Sequence, residues 1–146
     1  MRDARSGYKA VAREERTPMP TLEVYLPHGH DEARKASLIQ GLTQATVAAI
    51  GAPAEAVRIL LSEMPATHFG LGGKTAAHGA PPSLPVIVAI LIAGRTDAQK
   101  EALIAALSET AAAVLDAPLQ ATRVMIKDIP NTDFGIGGQT ARSLGR

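Results

Sequence analysis

Two arginines stand out among the residues of this chain that could do chemistry. Arg58 and Arg123 sit at the start of matching apolar runs, VRILLSEM and RVMIKDI. A guanidinium offers a planar fork of donors that fits a carboxylate. In the same place an arginine can equally be a surface charge or part of a salt bridge at the core edge. Phe69 and Phe134 are half of all the aromatic residues, and each precedes glycines. They read as core anchors or as part of a site. Pro20 and Pro85 each begin a strand, which by itself is an ordinary position for proline.

Other motifs imitate known chemistry. Gly72-Gly73-Lys74-Thr75 ends like a phosphate-binding loop, but the full pattern needs glycine where the chain has His68, and the matching place later has Gln139. No nucleotide loop is expected. His28 and His30 are spaced like metal ligands on a strand. No third ligand of fitting type lies nearby, and Ala93 and Arg95 take the matching places, so exposed loop histidines and no metal are expected.

Composition narrows the field. The chain has 146 residues, 46% hydrophobic and 20% charged, enough to build a buried core and too apolar for wholesale disorder. Absence of cysteine excludes disulfides, thiolate zinc sites, iron–sulfur clusters and cysteine nucleophiles. With no tryptophan, and Tyr8, Tyr25, Phe69 and Phe134 as the aromatics, a stacking platform for nucleic acid is not expected. A net charge of +1 steers toward no polyanion. The longest apolar run, Val86 to Ala93, has eight residues, far short of the roughly 20 a bilayer requires. Residues 1–18 lack an apolar core and mix both charges, so they do not read as a signal peptide. The expectation is a soluble, cytoplasmic protein without a membrane partner.

These residues are positioned by a duplicated unit. Shifting the chain against itself by 65 residues aligns Pro20 with Pro85, Lys35 with Lys100, Leu42 with Leu107, Arg58 with Arg123, and FGxGGxTA from Phe69 with the same motif from Phe134. No gap is needed, which marks an internal repeat. The boundaries expected are an extension over 1–18, one unit over 19–79 and another over 80–146, with Ala77 to Leu84 as the joint.

Each unit has one plan. Leu22, Val24 and Leu26 alternate with polar neighbours as a strand; Pro85 to Ile92 is apolar throughout and reads as a strand buried on both faces. Helices follow, capped by Asp31 and by the Thr96-x-x-Gln99 box. Their apolar stripes are Leu38, Leu42, Ala45 and Ala49, and Leu103, Leu107, Thr110 and Val114. Gly51 ends the first helix, and Pro53 and Pro118 bar either from continuing. A second strand and a glycine-rich hairpin complete the unit. The fold class is α/β (α+β): two tandem β-α-β units form a four-stranded sheet with two helices on one face. The other face stays bare and apolar, implying oligomerisation.

Taken together, the prolines, arginines, phenylalanines and FGxGG turns make each copy resemble the 4-oxalocrotonate tautomerase family. The resemblance covers about 125 of the 146 residues, from Pro20 to the end, in a duplicated, fused form. It implies a cofactor-free isomerase whose base is an amino-terminal proline, here Pro20. It matches the family arginines to Arg58, Arg123 and Arg95, and the wall phenylalanine to Phe69 and Phe134. His30 stands where the second copy keeps Arg95, so one pocket has lost a permanent charge. Short family members form hexamers, so a homotrimer of about 45 kDa is implied, three times the 15.2 kDa chain.

The chemistry fits such residues. Enol–keto conversion moves a proton between oxygen and carbon, best done by a base with a pKa near neutrality. Nearby arginines and an apolar ring both lower the pKa of a proline amine. The arginines bind the substrate carboxylate and stabilise charge on the dienolate. An internal proline has an amide nitrogen without useful basicity, so Pro85 cannot be the base. The expected function is tautomerisation of small 2-oxo acids. Two alternatives stand: a hydratase, dehalogenase or decarboxylase on this scaffold, for which Glu23 and Glu63 are carboxylates without a known place; or a silent assembly protein, if residues 1–18 keep Pro20 internal. The active form is expected to begin at Pro20, either because translation starts at Met19, an initiator methionine before proline being normally removed, or because the extension is cut away.

Overall fold

The computed structural model describes residues 19–80 and 84–146; the extension over 1–18 lies outside the described residues. Strand β1 (Thr21–Pro27) leads into helix α1 (Glu32–Ile50) and then β2 (Arg58–Met64). The tiny hairpin of β3 (Gly70–Leu71) and β4 (Lys74–Thr75) closes the first unit. The second repeats it: β5 (Val86–Ile92), α2 (Asp97–Leu115), β6 (Arg123–Ile129), β7 (Gly135–Ile136) and β8 (Gln139–Thr140). Asp31 caps α1 by accepting from the Arg34 N–H at 2.7 Å, and Thr96 with Gln99 forms the capping box of α2. Gly51 takes the left-handed conformation that closes α1. In both hairpins two successive glycines, Gly72-Gly73 and Gly137-Gly138, have positive φ, as a two-residue turn between right-twisted strands requires.

The main sheet runs β2-β1-β5-β6. Each β-α-β unit pairs its own strands in parallel, and the units meet through antiparallel β1 and β5, with Thr21 opposite Ile90 and Tyr25 opposite Val86. That register gives the sheet two like ends. The start of β1 lies beside the end of β5, and the start of β5 beside the end of β1.

Both helices cover one face. Leu22, Val24 and Leu26 meet Ile87, Ala89 and Leu91 there, and among the described residues the core draws on nothing before Leu22. The fully buried helical positions are Leu38, Leu42, Thr46 and Ile50, and Leu103, Leu107, Ala111 and Leu115. They recur every fourth residue, so the innermost stripe leaves Ala45, Ala49 and Val114 partly buried beside it and drifts from the expected one. Thr46 tolerates burial because its hydroxyl donates to the Leu42 carbonyl at 2.8 Å. The α1–α2 approach is close at Gly41, where a Cβ would lie 2.9 Å from Thr110 Cγ2.

Among the described residues nothing covers the other face. Leu60, Glu23, Val88 and Met125 form one row across it, and Leu60 and Met125 are 50% and 51% exposed. β5 was expected to be buried on both faces; Val86, Val88 and Ile90 remain half-exposed, because none of the described elements packs on that side. Glu23 accepts from the Tyr25 hydroxyl at 2.8 Å, which raises the Tyr25 pKa first through that hydrogen bond and then through the carboxylate charge. No helix of the described residues is long and apolar enough to cross a membrane.

Candidate active site

A cleft of about 400 Å³ opens where β1 begins. Met19 and Thr21, on either side of the buried Pro20, form one wall. Arg58 opens the adjacent strand, held there by its N–H donating to the Pro20 carbonyl at 3.0 Å. The opposite wall comes from the other unit: Phe134, Gly135, Ile136 and Gly137. The antiparallel β1–β5 junction causes this crossing, since it carries the second unit's hairpin to the first unit's proline. The structure therefore brings Arg58 and Phe134 to Pro20.

Arg123, Phe69 and His30 lie at the opposite end, around Pro85. There the Arg123 N–H bonds the Pro85 carbonyl at 3.0 Å, and its guanidinium donates to the Gln120 and Thr122 carbonyls. Phe69 lines a smaller, apolar pocket of about 200 Å³ with Leu84, Pro27 and His28. The Pro85 nitrogen is an amide. Arg95 follows β5 and so belongs to the Pro20 end, outside the cleft lining. Its Nε and Nη2 are buried without a hydrogen-bond partner among the described residues, and burial pushes its pKa down. The end that retains the arginine is thus the Pro20 end, and His30 marks the other.

His28 Nδ1 lies 2.8 Å from Glu63 Oε2, and Lys35 pairs with the same carboxylate. Lys100 and Asp128 form the matching pair in the second unit. Among the described residues no three histidines or carboxylates are placed to hold a metal ion. Lys74 sits in a hairpin strand rather than at the start of a helix, so no phosphate cradle forms around Gly72-Gly73.

Two residues escaped the sequence reading. Glu55 lines the cleft beside Arg58, and no ion pair ties it among the described residues. The signal was its contrast with Gln120, its counterpart in the second unit. Arg146 reaches Met19, its Nη1 lying 3.1 Å from Met19 Sδ. Its counterpart by the repeat is Pro81, so no matched pair drew attention to it.

Comparison with known proteins gives one family twice. The family model described as tautomerase enzyme matches residues 20–79 and again 85–142. The chain is 48% identical over 63 residues to a 2-hydroxymuconate tautomerase of a Pseudomonas species, covering 43% of this chain and all of that one. A 2-hydroxymuconate tautomerase of Stutzerimonas stutzeri is 44% identical over 63 residues, with the same coverage. Among solved structures, a native fused 4-OT is 82% identical with a TM-score of 0.83, covering 86% of this chain and 99% of the other. A fused 4-OT solved as an asymmetric trimer is 81% identical with a TM-score of 0.81 and the same coverage.

Proposed function

Because this chain belongs to the tautomerase enzyme family, in its fused 4-OT form, we propose that it interconverts enol and keto forms of small 2-oxo acids at the cleft beside Pro20. The chain is an isomerase. The observation that carries the site reading is the convergence of Arg58 and Phe134 on Met19 and Thr21. The base is the Pro20 amine, released when the Met19–Pro20 bond is cut. The solved fused relative is almost wholly matched by 86% of this chain, which leaves out a stretch about as long as residues 1–18.

In this mechanism the substrate carboxylate meets Arg58, and the Phe134 wall excludes water from the reacting carbons. Pro20 removes the enol proton and delivers it to carbon. The guanidinium beside it and the low-polarity wall both disfavour an ammonium, holding the amine pKa down toward neutrality. Arg95 adds positive charge at the same end. Arg123 and Phe69 build the related pocket around Pro85, which binds without proton transfer because its nitrogen is an amide.

The working assembly is a homotrimer of about 45 kDa, three times 15.2 kDa. The bare face with Leu60 and Met125 supports it, as do fused relatives solved as trimers. A stable monomer in sedimentation at micromolar concentration contradicts it.

The test of the base compares three proteins with the enol form of phenylpyruvate. Protein beginning at Pro20 is active; protein retaining residues 1–18 is slower by orders of magnitude; Pro20→Ala is folded and impaired. Equal activity of the uncut chain refutes the proline base. A second reading, hydration of an unsaturated acid, is favoured by Glu55 in the cleft. It requires water addition that Glu55→Gln abolishes while tautomerisation persists.

A further inference from the structure

Glu55 puts a negative charge into the Pro20 cleft. It is the middle residue of a short 3-10 turn, Ala54–Ala56, between α1 and β2. The Ala56 N–H donates to the Pro53 carbonyl at 3.0 Å and the Val57 N–H to the Ala54 carbonyl at 3.2 Å, which fixes that turn against the cleft. Glu55 is exposed, and among the described residues no side-chain hydrogen bond or ion pair ties it. Arg58, three residues on, lines the same cleft without contacting it. The two charges are therefore not spent on each other, and each is presented to whatever enters. Among the described residues that line the cleft no other is charged. Arg95 and Arg146 belong to this end of the sheet but lie outside that lining.

We infer that Glu55 sets the substrate class of the Pro20 cleft: it selects small 2-oxo acids with one carboxylate and an uncharged tail, and rejects those with two carboxylates. This rests on the reading of the cleft as the site of enol–keto conversion. The first carboxylate takes Arg58. At about 400 Å³ the cleft stands at the small end of ligand sites. Whichever carboxylate of a diacid takes Arg58, the other stays within the volume that Glu55 lines. There it faces a like charge, and no second lining cation offsets it. An uncharged tail meets the Phe134 and Ile136 wall instead and suffers no repulsion. The repeat carries the contrast. Gln120 takes the place of Glu55 in the second unit, and its carbonyl accepts from the Arg123 guanidinium. The selection by charge therefore belongs to the Pro20 end.

The test uses protein beginning at Pro20, whose described core draws on no earlier residue, confirmed by intact mass. The substrates are the enols of phenylpyruvate and 4-carboxyphenylpyruvate, which differ by one carboxylate. The matching unreactive probes are 3-phenylpropanoate and 3-(4-carboxyphenyl)propanoate, with affinity read by calorimetry. Wild type should favour the monocarboxylate in both readings. Glu55→Gln should shift the ratio toward the dicarboxylate about 3- to 30-fold, the scale of one like-charge repulsion in a solvent-open cleft. Glu55→Asp, which keeps the charge, should keep the wild-type preference. The difference between wild type and Glu55→Gln should narrow as salt is raised, since an exposed carboxylate is screened. A Glu55 that merely positioned Arg58 would lower both compounds alike, and a changed basicity of the Pro20 amine would act on both substrates alike, so neither moves the ratio. A ratio in Glu55→Gln within about twofold of wild type, in affinity or in kcat/KM of an active protein, overturns the inference. If the protein converts neither enol while the affinity ratio shifts, the tautomerase reading of the cleft fails and the selection by Glu55 stands.

Discussion

Arg58 and Arg123 occupy identical places in the two repeats, yet their removal should differ in effect. The Arg58 backbone is bound to the Pro20 carbonyl, and its side chain lines the cleft. Among the described residues its guanidinium makes no hydrogen bond, so it is available to a substrate carboxylate. Losing a hydrogen bond to a charged group costs about 1.5–3 kcal/mol. Arg58 is exposed, and solvent screening places its loss at the lower end. Arg58→Ala should therefore lower kcat/KM about 10- to 20-fold, since 1.4 kcal/mol is a factor of ten. Arg123 stands at the far end of the sheet with its guanidinium engaged by the Gln120 and Thr122 carbonyls. Arg123→Ala should change kcat/KM by less than about threefold, and the double variant should show the product of the two effects, as distant sites do. The assay is enol-phenylpyruvate decay across substrate concentration, with thermal unfolding as a control on folding. Equal losses, or a larger loss at Arg123, would refute the assignment of Arg58 to the Pro20 site.

Other outcomes follow from the packing. Asp31→Ala removes the acceptor for the Arg34 N–H and should cost about 1 kcal/mol, read as a lower midpoint in denaturant. Gly41→Ala gains helix propensity of about 1 kcal/mol but drives a Cβ against Thr110 Cγ2. The single change should lower Tm, and adding Thr110→Ser, which deletes that methyl, should raise it again. Tyr25 titrates above its ordinary value because Glu23 accepts a hydrogen bond from its protonated hydroxyl and repels the phenolate. The stability from this contact is complete below the ordinary tyrosine pKa and fades as pH rises through the raised one. Phenolate absorbance should show one of the two tyrosines shifting to lower pH in Glu23→Gln, and an unmoved titration refutes the contact.

The repeat, the order of elements and the caps were all legible from the sequence. Each depends on neighbours within a few residues: Asp31 and its Arg34 N–H, Thr96 with Gln99, paired glycines with positive φ in each hairpin. The family resemblance came from the same local motifs. The helical stripe was read with a drift, because a period of 3.6 residues selects a face but not the side chains closest to the sheet. Burial of β5 on both faces was also over-read, since an apolar sequence records what must be covered and not which chain covers it. What only the tertiary structure decided was the partnership of the two units. Identical motifs at Arg58 and Arg123, or Phe69 and Phe134, cannot say which belongs beside Pro20. The antiparallel junction of β1 with β5 decides it, joining Arg58 of one unit to Phe134 of the other. Glu55 lines the same cleft by that folding, and Arg146 lies 127 positions from the Met19 it touches. Such contacts are set by long-range packing, which leaves no period or spacing in the chain.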